Sequence, residues 1–524
     1  MLAVSITATF SIPGMGLVSD AQADTAQGVK VTYHSQEDIV NYVQKHPTGA
    51  MGLDSQGNVI ENYSIEYAEK PELKPPYTIG QLTDKEEENA LNMVKTIRYI
   101  AGLSDNVELS GEYIMLAQAS SQINCVNGKL THTPKIPDDM NIVIGAVGYQ
   151  GSVLSNIAKY TRPDVSLKFA ILDGFMTDGD KTNIKDVGHR RWILNPSMGA
   201  TGFGSSTTKT TTYLAMYAQD MSNKDNDKDA IVWPAQNMPT SLFLPDSPWS
   251  VSLDDSIDIE DINISVIRES DSRVWVFNSE YADGELYVSN KDIGTDSCII
   301  FRPEGITEYR PGDRFHVNIS GFALGISYTV SFFDLENYFA PEAPYAISAY
   351  TDQDNHPMIE WKAVDGCNGY NLYRRAAGGS WKLLVSDIDE PYYKDDTAGK
   401  GIKYYYRITA QKDVKGTVYE SEPSNEKAVS VSLDMVGITS AKAVSKKRNK
   451  ITWNKVEKAT GYKVYRREYG SAKWKLMWTT KNTYYINTKT VSGKKYQYRV
   501  RAYRTYLGNT VYGDYSSLKT VKTK

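Results

Sequence analysis

Two histidines carry the strongest chemical signal in the chain. His132 stands in Leu130-Thr131-His132-Thr133-Pro134, and His189 in Gly188-His189-Arg190-Arg191-Trp192-Ile193-Leu194-Asn195-Pro196. Imidazole titrates near neutrality, acts as a general base and binds metals through a neutral ring nitrogen. Each histidine follows a helical pattern and precedes irregular or strand sequence, a context that puts side chains at the rim of a cleft. A lone histidine is more often structural, so a shared site depends on what brings the two together. The acidic runs 178–183 and 225–229 space their oxygens as a calcium loop does. They lack its sixth-position Gly and twelfth-position Glu, and are read as solvated turns. No P-loop, dinucleotide-binding glycine fingerprint or nucleic-acid motif is present.

A short helix with apolar Ile39, Val40 and Val43 fits 35–46, and the Pro-rich stretch 69–77 reads as extended. Thr83 or Asp84 can cap a helix whose first turn holds Glu86, Glu87 and Glu88. Ala90, Leu91, Val94, Ile97 and Ala101 fall on its one face, Asn92 and Arg98 lie along it, and Gly102 can end it. A second helix is expected over 110–126, with Leu116, Ala117, Ala119 and Ile123 as its apolar positions. A third is expected from Pro163, with Val165, Phe169, Leu172 and Met176 at helical spacing. A hydrophobic strand is expected after His189, then short strands over 201–204 and 213–217.

This order of helices, with HTP, GHR and Gly202-Phe203-Gly204, resembles the CAP superfamily (cysteine-rich secretory protein, antigen 5 and pathogenesis-related 1) in its bacterial secreted branch. The resemblance covers roughly 79–220 and is most specific over 186–204. It implies an α-β-α sandwich with a cleft holding two histidines and two acids. His132 and His189 match the histidines. The first acid position, which precedes an Asn, reads Ser155-Asn156, so Ser155 replaces a carboxylate in a loop-to-helix context. Asp178, at the end of the third helix, is the nearest match to the second acid. No cofactor is expected. Zinc is the one metal that His132 and His189 would take, but a dependable zinc site wants three or four protein ligands. Ser155, His189 and Asp178 also spell a nucleophile, base and orienter, without the G-x-S-x-G elbow that exposes a nucleophilic serine.

From about residue 222 the helical signal gives way to strands at 274–277, 285–288, 298–301, 315–319 and 328–332, spaced as in a β-sandwich. Then comes a repeat. Trp361, Gly369-Tyr370, Tyr373-Arg374-Arg375, Tyr404, Arg407 and Ala410 recur 92 residues later as Trp453, Gly461-Tyr462, Tyr465-Arg466-Arg467, Tyr496, Arg499 and Ala502. A period of this length with strand signals only means two copies of one sandwich. These residues resemble fibronectin type III modules, with Trp and Tyr as core rather than ligand positions.

Composition sets the remaining bounds. A chain of 524 residues exceeds one core, and 37 Tyr against 12 Phe suit half-exposed strands. The net charge is −5, yet the stretch from Val436 onward holds about 22 Lys and Arg against about three acids. Cys125, Cys298 and Cys367 lie far apart and read as buried free thiols. Residues 2–18 are mostly apolar or small, and Ala21-Gln22-Ala23 offers a processing site, so export is expected although no basic residue precedes the segment. No other stretch is long and apolar enough to span a membrane.

The expected architecture is multi-domain: an α+β domain, the α-β-α sandwich of the CAP type, followed by all-β sandwich domains. The segments are a signal peptide (1–23), an N-terminal extension (24–79), a CAP domain (80–221), a β-rich domain (222–338) and two fibronectin type III domains (340–433 and 435–524). The expected function is binding at the cell exterior, secreted and wall-associated. The partners expected are anionic wall polymers, held by the basic last module, and no nucleic acid. The alternative is a hydrolase of peptides or envelope polymers working through the His132/His189 cleft.

Overall fold

The computed structural model describes residues 31–49, 64–224, 230–321 and 325–524. The export segment and the acidic run 225–229 lie outside the described residues. The chain divides into two compact units, Met1–Tyr338 and Phe339–Lys524.

The first unit begins with helices whose ends follow the capping residues. Helix α1 (Gln36–Lys45) starts at Ser35, whose Oγ accepts the Asp38 amide at 3.1 Å. Helix α2 (Asp84–Ile100) is capped by Thr83 and turns off at Gly102, where φ is 72°. Its Arg98 is fully buried and donates to the carbonyls of Ser104, Ile193, Asn195 and Met198. Burial pulls that guanidinium down to about 10, still charged at neutral pH.

Helix α3 (Gly111–Asn127) buries polar side chains as well as apolar ones: Gln118, Ser120, Ser121, Gln122 and Asn124. Each has a partner. Gln118 donates to the carbonyls of Ile79 and Ser205, Ser121 bonds Ser206, and Gln122 donates to those of Glu72 and Thr78.

Helix α4 (Ile142–Leu154) has no counterpart in the sequence reading. Its glycines set it close against α3. A Cβ on Gly148 would meet the Ala119 carbonyl oxygen at 2.9 Å, and one on Gly151 would meet that of Leu116 at 2.0 Å. The helix runs directly into strand β1 (Ser155–Tyr160), so Ser155 closes a helix and opens a strand, the reverse of its expected loop-to-helix context.

The expected third helix begins at Leu167, not Pro163, because Asp164 takes φ 52° and breaks the turn. It is one turn, α5 (Leu167–Phe169), that widens into a π-helix over Ala170–Met176. Val187 and Asp178 are also left-handed, at φ 40° and 44°. For a buried β-branched residue such as Val187 this costs about 1–3 kcal/mol. Its surroundings hold it: it packs on Cys298 and Ile300. The expected strand after His189 is instead helix α6 (Gly188–Ile193). Its apolar run is too short for periodicity to separate helix from strand. Strands β2 (Phe203–Thr207) and β3 (Thr212–Tyr217) complete an antiparallel sheet in the order β1-β3-β2. Side chains alternate along β1. Ile157 meets Ala117 of α3 on one face, while Ala158 and Tyr160 approach Gly174 of the π-helix on the other.

Residues 231–333 form a β-sandwich of a four-stranded and a five-stranded sheet. Trp249, Tyr309, Phe315 and Phe332 fill its middle, and Trp249 Nε1 donates to Tyr309 Oη at 2.9 Å. Two buried arginines of the GHR segment bind this sandwich to the helical part. Arg190 donates to the carbonyls of Met176, Thr177 and Pro248 and to Ser250 Oγ. Arg191 donates to Ser289 Oγ and to the carbonyls of Lys291 and Thr295.

The second unit holds the repeat as two sandwiches with the same strand plan. In the first, Ser348–Thr351, Pro357–Glu360 and Tyr392–Lys394 form one sheet, and Lys382–Ile388, Gly369–Ala376, Ile402–Val414, Thr417–Glu420 and Lys427–Val431 the other. Trp361 and Trp453 are core residues, each edge-on to a tyrosine, Tyr370 and Tyr462. Tyr404 Oη accepts the Gly399 amide at 3.0 Å and Tyr496 Oη that of Val491 at 3.1 Å. This tyrosine corner ties the start of a long strand to the turn before it. Cys125 and Cys298 are buried free thiols, while Cys367 is half-buried.

Candidate functional site

His132, Ser155 and His189 come together on one cavity of about 210 Å³. Asn156, Asn183, Asp186, Trp192 and Gln219 line it too, and Ile293 of the sandwich reaches into it. Asp178 does not line this cavity. It lies behind His189, in the wall of an adjoining hollow of about 740 Å³ that it shares with Asp180 and Arg302.

Each imidazole is fixed through Nδ1. His132 Nδ1 donates to the Ser152 carbonyl at 2.7 Å. That carbonyl is held in a buried polar network in which Ser152 Oγ bonds Ser120, Asn124 and the Gly148 carbonyl, and Asn124 Oδ1 takes the Thr131 amide. The polar side of α3 thus serves to place His132. His189 Nδ1 donates to Asp178 Oδ1 at 2.7 Å, and Asp178 Oδ2 accepts the Arg190 amide at 3.0 Å. Asn156 Nδ2 donates to the His189 carbonyl at 2.9 Å. Fixing Nδ1 in both rings leaves both Nε2 atoms as acceptors or ligands in the neutral state. Burial alone lowers the basicity of His189, but the hydrogen bond and charge of Asp178, with Asp180 behind, outweigh it and raise its pKa.

Ser155 Oγ is buried and has no hydrogen-bond partner among the described residues. It is therefore not joined to His189, and the nucleophile-to-base link of a serine hydrolase is missing. Zinc is a poor fit as well. Asp178 is committed to His189 and Arg190, and Asp186 to Ser289 and Lys291. Among the described residues no three His, Cys, Asp or Glu side chains are grouped closely enough to hold a metal. The 178–183 run is a turn: Asp180 accepts the amides of Thr182 and Asn183.

Sequence reasoning missed Asn183, Asp186, Trp192, Gln219 and Ile293. Asp186 and Trp192 flank the GHR motif and were within reach of it. Ile293 comes from the β-sandwich, about 100 residues further along the chain, and carried no signal.

No family model matches the chain. A stretch of 78 residues is 32% identical to an amylopullulanase of Thermoanaerobacterium thermosulfurigenes, covering 15% of this chain and 4% of that protein. An amylopullulanase of Thermoanaerobacterium saccharolyticum is 31% identical over 78 residues, 15% of this chain and 6% of that protein. The chain therefore spans only a small part of these curated relatives. Among solved structures, a two-domain fibronectin type III segment of chicken tenascin is 16% identical, covering 35% of this chain and 99% of that one, with a TM-score of 0.28. A fibronectin-type-III-like protein of Clostridium thermocellum is 32% identical, covering 17% and 92%, with a TM-score of 0.16. The first three fibronectin domains of chicken CNTN1 are 15% identical, covering 53% and 94%, with a TM-score of 0.21. The repeated modules are two β-sandwiches that share one strand plan and the tyrosine corners described above.

Proposed function

We propose that this is a secreted, wall-associated binding protein of the cell exterior, with a CAP-type domain over 80–221. Its cleft holds a small ligand, the fibronectin-type-III-like modules act as spacers, and the basic second module holds anionic wall polymers. The observation that carries the reading is the meeting of His132 and His189 on one cavity, each anchored through Nδ1, beside a Ser155 hydroxyl that bonds neither. Such a site can accept hydrogen bonds and share protons, yet it lacks an activated nucleophile. The helices on both faces of a three-stranded sheet support the CAP-type assignment.

A second reading, a hydrolase of peptides or envelope polymers, draws on the Asp178–His189 pair alone, which has the form of a base and its orienter. The two separate in one experiment. Purified walls are incubated with the full chain and with His189→Ala, and both retention and released soluble fragments are measured. Retention without release is expected. Release that His189→Ala abolishes would establish the hydrolase instead. Calorimetry with zinc tests the cleft itself: weak binding by the wild type is expected, tightened roughly tenfold or more by Ser155→Glu, which is about 1.4 kcal/mol. Submicromolar zinc binding by the wild type would overturn the assignment of Ser155 to the missing acid position.

A further inference from the structure

The second fibronectin-type-III-like module carries a groove that its fold does not require. Strands Lys475–Thr480 and Tyr484–Asn487 belong to different sheets, and between them opens a hollow of about 370 Å³ lined by Met477, Trp478, Tyr484, Tyr485, Ile486 and Lys489 among others. Trp478 is 58% exposed, Tyr484 46% and Ile486 40%, so three large apolar side chains stand in water side by side. Clustered exposure of this kind marks a binding surface.

Its rim is basic. Lys450 Nζ lies 5.3 Å from the centre of the Tyr484 ring. Lys450 pairs across strands with Ile486 on one side and Lys442 on the other. Like charges directly opposite one another destabilise a sheet, so the Lys442–Lys450 pairing does nothing for the fold. Lys442, Lys450, Lys481 and Lys489 make no ion pair among the described residues. The module's acids Glu457 and Glu468 are paired with Lys458 and Lys494, away from the groove.

The first module is an internal control on the same scaffold. Val385 pairs with Leu372 where Trp478 pairs with Val464, and it packs onto the core. Met358 pairs with Lys394 where Lys450 pairs with Ile486. Lys394 is neutralised by Asp352 and Asp396. The equivalent strands thus expose a tyrosine, Tyr392, but have no exposed Trp at the Trp478 position, and the lysine of their cross-strand pair is neutralised.

We propose that this groove binds an anionic polysaccharide, whose sugar rings stack on Trp478 and Tyr484 and whose anionic groups face Lys450, Lys481 and Lys489. The proposal rests on the reading that the second module holds polyanions, and it names the site. Flat aromatic faces suit the C–H faces of a pyranose, whereas a polyanion without rings would use the lysines alone.

The test compares polygalacturonate with polyphosphate, binding to the full chain at low salt, for wild type, Trp478→Ala, Tyr484→Ala and Tyr484→Phe. Thermal melting confirms that each variant folds. Both alanine variants should lose polygalacturonate affinity by about tenfold, the size of a lost aromatic contact of about 1.4 kcal/mol. They should hold polyphosphate as the wild type does, and Tyr484→Phe should keep both. Wild-type affinity for polygalacturonate in both alanine variants would overturn the groove and leave the polyanion reading standing. No binding of either polymer by the wild type would overturn the reading and the groove with it.

Discussion

Half-buried His189 donates from Nδ1 to the carboxylate of buried Asp178 at 2.7 Å, and that carboxylate also accepts the next residue's amide, that of Arg190, at 3.0 Å. Asp178 thus fixes the ring and offsets what burial does to its basicity. With Asp178→Asn the hydrogen-bonded charge is gone, and burial is opposed only by the more distant Asp180. The pKa of His189 should drop from above its ordinary value of about 6.5 to below it. An NMR titration of the ring protons reads this directly. The sign for stability follows from the raised value. The pair's contribution is fully present below about pH 6.5 and is lost as pH rises through the raised pKa of His189. An unchanged titration in Asp178→Asn would mean that Asp180 or another charge sets the shift.

Arg190 and Arg191 tie the helical part to the β-sandwich around the cavity. Arg191 holds the carbonyls of Lys291 and Thr295 on either side of Ile293, the residue that walls the cavity. Arg190 is fully buried, and its truncation would strand acceptors at Met176, Thr177, Pro248 and Ser250. Arg190→Ala should be strongly destabilising, since each buried acceptor left unpaired costs about 1–3 kcal/mol. Urea unfolding of the full chain, followed by Trp fluorescence, measures it. A loss under about 1 kcal/mol would show that the helical and sandwich parts stand independently.

What the sequence made legible follows periodicity and punctuation. Ser35, Thr83 and Gly102 marked helix ends, and five of the nine described sandwich strands were readable, whereas Ile231–Trp233, Asn237–Pro239, Trp249–Leu253 and Asn263–Arg268 were not. Helix α4 was hidden because Gly145, Gly148 and Gly151 lower its helix propensity while its packing depends on them. Its apolar Ile142, Val143 and Tyr149 face outward, which inverts the usual pattern. The two cavity histidines were legible as motifs. The position of Asp178 behind His189 was not, because it depends on a left-handed residue at the end of a π-helix.

Asp395 and Asn487 occupy the same place in the two modules. Asp395 is fully buried and accepts from Tyr406 at 2.7 Å, Arg374 at 2.5 Å and the Thr397 amide at 2.9 Å. Asn487 donates to Tyr498 at 2.7 Å and accepts the Lys489 amide at 3.0 Å. Burial pushes the Asp395 carboxyl up, but the bonds from Tyr406, Thr397 and Arg374 win and hold it below its ordinary value. Its contribution is therefore present above about pH 4 and lost as pH falls through the depressed value. Hydrogen exchange at pH 3 should speed up in strand Ile402–Val414 and not in Lys495–Tyr506, and Asp395→Asn should remove the difference. Equal acceleration in both strands would assign the acid sensitivity elsewhere.

Leu433, the last residue expected in the first module, packs into the core of the second. Leu433 is 3% exposed and Val436 1%, and both belong to the core of the second module with Trp453 and Tyr462. A fragment beginning at Val436 leaves a Leu-sized hole in that core. Removing a buried Leu side chain costs about 2–5 kcal/mol through lost transfer energy and an unfilled cavity. For a domain of this size each kcal/mol moves the midpoint by about 4–8 °C. A fragment of residues 432–524 should therefore melt cooperatively, and one of 436–524 at least about 10 °C lower. Leu433→Ala in the longer fragment should reproduce most of that difference, which separates the missing side chain from the missing backbone. Identical melting of the two fragments would return the boundary to Val436 and make Leu433 part of the linker.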